Sequence, residues 1–556
     1  MKALLKHVLT IAVFAFALTG VAQAEAPNPG FLAVAADRGF QGNEEIRDAF
    51  AAFAAGRNAE LVFATDARTR GMLAEALERL KERGAQRVVV LPAFLSASDA
   101  KFALVKEQLA DLGASASFAR AFGESYLAVE ALGDRLRSIR DPRGTRLVVA
   151  GYGARDPDNR KLLERDWQRL AEQAAAGFGF ESLRTVVWYD ARAPQREERR
   201  AESRRALVEA VQGAGAARAV VVSFHLGRRL DGMMSYDAEL KSALPAGAEL
   251  IAQGSGPEAF LATWMSREAN RHAALEDRTL GVILLAHGGD FHWNEIFRQA
   301  VRPLGARHPV EYVFSMADQP LVERAVRRLE RRGARAAVIV RVFGLASSFK
   351  VDVERMIGAD IEGGSAPQAK LVHDDHAGHA QPGHGGSASP APRIRSPLPI
   401  VTVGGVEAHP LFAAALLERA RNLSREPKAD TVILTAHGAG EDDRNEQWLR
   451  ILEQLASHMK AQGAPFRAIR YATWREDWPG KREPWIARVR SMVEEASRDG
   501  RALVIPARTN GRGPEARFLD GLDYILGEGF APHPLFLRWF EEQVQAGAAG
   551  LAGRQE

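Results

Sequence analysis

An apolar run that ends in Ala-His-Gly occurs twice in this chain, as GVILLAHGGDFHWNE at 281–295 and TVILTAHGAGEDDRNE at 431–446. Near-continuous Val/Ile/Leu runs of this length mark strands buried on both faces, which is the situation in parallel sheets covered by helices. An Asn-Glu pair follows each run where a helix is expected to begin. Each pattern therefore predicts a strand, a tight glycine turn and a helix, with a histidine at the strand tip. In open α/β sheets ligands gather at the carboxyl ends of strands, so His287 and His437 are the candidate site residues.

The same unit recurs upstream with the histidine replaced. Aligned on the Asn-Glu or Asn-Arg pair, Ala36 in AADRGFQGNEE and Tyr152 in AGYGARDPDNRK stand where His287 and His437 stand. Short apolar runs alternate with helical stretches throughout, the signature of βαβ units. The first copy has the strands FLAVAADR, AELVFATDA, QRVVVLPAFL and a weak ASASFARAF. The fourth has TVILTAHG, FRAIRYATW, RALVIPAR and a poor YILGEG. The fold class expected is α/β, in four tandem repeats, each a small parallel sheet flanked by helices. Their boundaries are 25–142, 143–275, 276–428 and 429–556. Repeats three and four both close on His-Pro-Leu-Phe at the start of a last helix, so His409 and His533 are expected to start helices rather than bind ligands. Asn294 and Asn445 are candidate helix caps. Glu295 and Glu446 fall in first helical turns, where a carboxylate suits the helix dipole.

Residues 1–24 read as a cleaved secretory signal. Lys2 and Lys6 precede an apolar stretch at 8–20, and Ala22-Gln23-Ala24 is a small-residue cleavage site. The stretch is short for a membrane span. The expected location is periplasmic or secreted, with no membrane span after cleavage. The chain has no cysteine, so any metal falls to His, Asp or Glu. The net charge of +4 is interspersed rather than clustered and gives no support for nucleic-acid binding. No GxxxxGK[ST] loop supports a nucleotide, and no GxSxG elbow supports a serine hydrolase. The sequence sets no oligomeric state.

Residues 360–397 break the pattern and are expected to form a mobile loop inside repeat three, rich in Gly, Ser, Pro and His. Within it, His373, His376, His379 and His384 crowd into LVHDDHAGHAQPGHGG. Imidazole tracts of this kind bind zinc, nickel, cobalt or copper, and the role expected is to gather ions near a site that uses them. Neutral imidazole accepts a proton or binds a borderline metal near neutral pH. Both abilities suit metal insertion into a tetrapyrrole, where two ring N–H protons leave as a divalent ion enters.

These residues resemble the CbiX-type sirohydrochlorin cobaltochelatases, a class II chelatase family. VVAGYGARDPDNRK (148–161) is similar to that family's opening GHGSRDP segment, with Tyr152 at the histidine. VVVLPAFLSASDAKF (88–102) is similar to its PxFLxxGxH segment. The resemblance implies two tandem two-lobed modules, the first half degenerate and the second carrying the working site. It implies insertion of a divalent ion into a tetrapyrrole without a nucleotide. Cobalt is the first expectation, with nickel, iron or zinc as alternatives. His287 and His437 match the family's first metal-binding histidine, as ligand or base. The family's second histidine has no counterpart: Ala100, VFGLASSFKVD and PARTNGRGPEA occupy its place, and His225 is expected inside a strand. A rival reading is a non-catalytic periplasmic carrier of metal or tetrapyrrole that keeps the fold.

Overall fold

The structure is a computed structural model that describes residues 28–212, 218–227, 230–231, 234–253, 257–363, 390–509 and 511–552. The signal at 1–24 and the histidines His373, His376, His379 and His384 lie outside the described residues.

Four separate four-stranded sheets follow one another along the chain, and every strand pair in them is parallel. In each, the first strand of the repeat lies between the second and third, and the fourth sits outside the third. The weak fourth strands are short: Ala116–Phe118, Glu249–Ile251 and Ile525–Leu526. The fourth strand of repeat three is Ile400–Gly404.

The first strands explain how the repeats pair. All of Leu280–Ala286 is buried. Leu280, Val282, Leu284 and Ala286 join a core shared with Val432, Leu434 and Ala436 of repeat four. Ile283 and Leu285 face the other way, into a core of repeat three alone. Repeats one and two share a core in the same manner. Each side chain fully buried contributes roughly 1.5–3 kcal/mol, so the shared face binds two repeats into one half.

Terminal helices strengthen the pairing by crossing over. Pro534–Ala552, from repeat four, lies on the strands Ala336–Val342 and Ile400–Gly404 of repeat three. The approach is close enough that a Cβ on Gly547 would meet Val338 Cγ1 at 2.5 Å. In return, Pro410–Leu423 of repeat three packs on Asp442–Ala461 of repeat four. The first half does the same, with Glu258–Arg271 on Phe40–Ala54 and Tyr126–Leu136 on Pro157–Ala175.

The two halves meet through the flanks of the segment expected to be a loop. Its described ends correct that expectation. Residues 360–362 belong to the helix Ala359–Glu362, and Ile394 and Ser396 are buried. Arg393 pairs with Glu130 at 3.0 Å and with Asp360 at 2.7 Å, and Arg395 pairs with Asp134. The Tyr126 hydroxyl donates to the Ile394 carbonyl at 2.8 Å. Glu362 receives Arg267 at 3.0 Å and Arg271 beside it, all three buried. No helix among the described residues is long and apolar enough to cross a membrane.

Candidate metal centre and cleft

The strand Thr431–Ala436 ends one residue before His437. Gly438 then turns the chain at φ +81°, and a Cβ there would lie 2.7 Å from Asn445 Oδ1 and 2.9 Å from Thr473 Cβ. Only glycine fits both the left-handed backbone and the space. His437 Nδ1 lies 2.9 Å from the Gly438 carbonyl, to which it can only donate, so Nε2 is the atom left to bind a metal once the proton it shares with Asp477 is lost. His287 is built alike, with Nδ1 2.7 Å from the Gly288 carbonyl and Gly288 at φ +81°.

Asn294 and Asn445 do not cap their helices. Asp290 caps the first by accepting from the Trp293 amide at 2.8 Å. Asn294 accepts from the Gly289 amide at 3.1 Å, and Asn445 accepts from the Thr473 hydroxyl at 2.8 Å and the Ala439 amide at 3.4 Å. Asn43 and Asn159 reach back likewise, to the amides of Arg38 and Arg155. The asparagine is thus a clamp on the strand-tip loop in all four repeats. His409 and His533 start helices as expected, each accepting a backbone amide at 3.2 Å through Nδ1.

The two strand-tip histidines differ in their company. The strand Ala468–Thr473 runs beside that of His437, and the turn after it carries Glu476 and Asp477. Asp477 Oδ2 lies 2.8 Å from His437 Nε2, and Glu476 Oε1 lies 3.7 Å from it. Arg475 fixes this turn: its backbone sits at φ +51° and its Nε donates to the Ala439 carbonyl at 2.7 Å. Among the described residues, His437, Glu476 and Asp477 are the one group of three side chains able to hold a metal ion, with ligand atoms all within 4.8 Å of one another. Metal–ligand bonds of about 2.0–2.2 Å set ligand atoms roughly 3–3.6 Å apart, so the 3.7 Å pair would close slightly and the 2.8 Å pair would open. Burial alone would lower the His437 pKa, yet the Asp477 hydrogen bond and the Glu476 charge outweigh it and raise the value. One imidazole and two carboxylates suit zinc, nickel, cobalt or ferrous iron. On the other side, the turn that follows the strand beside His287 brings Ser315 and Met316, and no carboxylate, to the cleft wall.

Both histidines line one cavity of about 640 Å³ between repeats three and four. That volume lies in the range of small-molecule sites. Trp293, Trp448, Trp478, Phe343 and Phe412 give it flat apolar walls, and Arg444 and Arg508 bring positive charge. Trp478 stands edge-on to the His437 ring at 5.5 Å. Trp448 packs so tightly on Gly344 that a Cβ there would meet its Cη2 at 2.0 Å.

The matching cleft of the first half is filled, leaving about 10 Å³ beside Ala36 and Tyr152. The Arg38 guanidinium stacks 5.2 Å from the centre of the Tyr152 ring and lies 3.6 Å from Asp190. Tyr152 pairs with Trp188 in the sheet, so Asp190 holds the position that Glu476 holds in repeat four. His225 lies beyond its strand, Arg218–Ser223, not inside it. It is buried against this plug, and burial pushes its pKa down to about 4. No described residue of the first half lines the large cavity.

Comparison with known proteins agrees with the repeated architecture. The CbiX family model matches residues 38–139 and 281–423, segments of repeats one and three. No curated protein sequence matches the chain. Among solved structures, a similar one is DR2241 from Deinococcus radiodurans, described as a multi-domain protein with structural similarity to chelatases and two additional novel domains. It is 17% identical with a TM-score of 0.31, and the match covers 48% of this chain and 55% of that one, about half its length.

Proposed function

We propose, from the likeness of two repeats to the CbiX family, that the second half handles a divalent metal ion and a tetrapyrrole, inserting the one into the other without a nucleotide. The observation that carries this reading is the His437, Glu476 and Asp477 ligand set in the wall of a flat-sided cavity to which His287 also contributes. Cobalt is the metal proposed, with nickel, iron or zinc as alternatives, and sirohydrochlorin is the proposed macrocycle. The proposed location is the periplasm or the exterior, reached by export with cleavage of residues 1–24.

The chemistry divides between the repeats. The repeat-four ligands hold the ion as substrate, and binding displaces the proton that the two carboxylates favour on His437. The aromatic walls hold the ring flat. As metal–nitrogen bonds form, two ring N–H bonds break. His287, beside which the neighbouring turn brings Ser315 and Met316 to the cleft wall, accepts one proton, and the carboxylates released by the departing ion accept the other. No electron changes hands. Desolvation in the cleft strengthens each of these electrostatic contacts.

The test is cobalt(II) incorporation into sirohydrochlorin by the mature chain, read beside cobalt binding. His437→Ala is expected to lose both. His287→Ala is expected to keep cobalt binding and lose insertion. Wild-type protein that binds cobalt but leaves insertion at its spontaneous rate is the carrier instead. Cobalt binding indifferent to His437→Ala would remove the site altogether.

A further inference from the structure

Arg508 follows the third strand of repeat four, Ala502–Pro506, and lines the cavity. Its Nη2 donates to Glu476 Oε2, while its Nε is buried with no hydrogen-bond partner. It is fixed by contact with Gly513, where a Cβ would lie 2.5 Å from Nε. Glu476 therefore serves two masters. One oxygen is engaged by a guanidinium, and the other lies 3.7 Å from the nitrogen that would bind the metal. The Arg508 charge, on the residue paired with Glu476, also opposes cation binding directly.

A guanidinium offers five donors in a planar fork suited to a second carboxylate. We propose that a carboxylate of the incoming planar ligand takes over Arg508 and releases Glu476 to the metal, so that anionic ligand and divalent ion bind cooperatively. This rests on the metal site and macrocycle proposed above and adds the residue that couples the binding of the two. Without the ligand, the Arg508 charge offsets that of Glu476 and weakens its hold on an ion bound with His437 and Asp477. With it, the repulsion is neutralised and the third ligand is freed. Linkage requires the effect to be mutual, the metal tightening the macrocycle by the same factor.

The probe pair is cobalt(II) with copper(II) uroporphyrin I, a polycarboxylate whose centre is already filled and cannot take the cobalt. Calorimetric titration of wild-type protein is expected to show cobalt affinity rising about tenfold with the uroporphyrin, within the usual span of coupling between sites. The methyl ester of the same compound is expected to give no rise. Arg508→Gln is expected to bind cobalt about tenfold more tightly alone and to lose the response. Glu476→Gln, which leaves Arg508 in place, is expected to bind cobalt more weakly and also lose the response. Arg508→Gln with unchanged or weaker cobalt binding and an intact response overturns the inference while the metal site stands. Cobalt binding indifferent to His437→Ala overturns the metal site and this inference with it.

Discussion

The junction between the halves offers a stability test with a calculable size. Glu362, from repeat three, is buried between Arg267 and Arg271 of a repeat-two helix, and the Arg120 guanidinium donates to its backbone carbonyl at 2.9 Å. Burial alone would raise its pKa, but the two guanidiniums overcome this and hold it down to about 2, against an ordinary 4.5. A shift of about 2.5 units corresponds to roughly 3 kcal/mol of preference for the charged form. Removing one partner of a buried ion pair costs about 3–5 kcal/mol by independent measure. Glu268, 3.2 Å from Arg271, can compensate part of the loss, so the lower figure is the expected one. Glu362→Gln should therefore lower unfolding stability by about 3 kcal/mol at neutral pH, read from equilibrium urea unfolding by circular dichroism. Because the folded pKa is depressed, the contribution is whole above pH 4.5 and fades as pH falls toward 2. The gap between variant and wild type should roughly halve at pH 3. A variant within about 0.5 kcal/mol of wild type at neutral pH would refute the reasoning, since that is the spread of ordinary surface changes.

Two further outcomes are expected. Gly344→Ala puts a methyl 2.0 Å from Trp448 Cη2 and should push that ring into the cleft, costing about 1–3 kcal/mol of overpacking. Uroporphyrin affinity should fall while cobalt binding at His437 is kept, and unchanged macrocycle affinity would show that Trp448 is not a wall of the binding site. Glu258 is pushed up to about 7 by burial, so the folded state holds its proton and its favourable contribution is lost as pH rises through that value. Glu258→Gln should therefore match wild type near pH 4 and exceed it by about 2–3 kcal/mol at pH 8; equal stabilities at pH 8 would argue that the carboxylate is solvated.

The strand tips were legible because a strand buried on both faces leaves a continuous apolar run, and Leu280–Ala286 and Thr431–Ala436 are such strands. Placing His287 and His437 on one cavity required the pairing of repeats, which the alternation of Val282 and Ile283 between two cores encodes only faintly. Glu476 and Asp477 escaped the sequence reading because Trp474–Trp478 resembles an ordinary solvated turn. The available signal was their place directly after the strand neighbouring that of His437. Asn445 misled for a related reason: at a helix start a short amide is expected to cap, and here it reaches back to Thr473 instead. Closure of the first-half cleft was invisible because it depends on where the long Arg38 side chain lies, and no local pattern fixes that.

The crossing terminal helices carry a consequence for any attempt to shorten or extend the chain. A lone quarter would present the apolar flank of a helix made for its neighbour and lack the one made for itself, as with Pro410–Leu423 and Pro534–Ala552. Viable pieces therefore come in twos, and a three-quarter molecule would leave one sticky flank exposed to solvent and prone to capture by another copy.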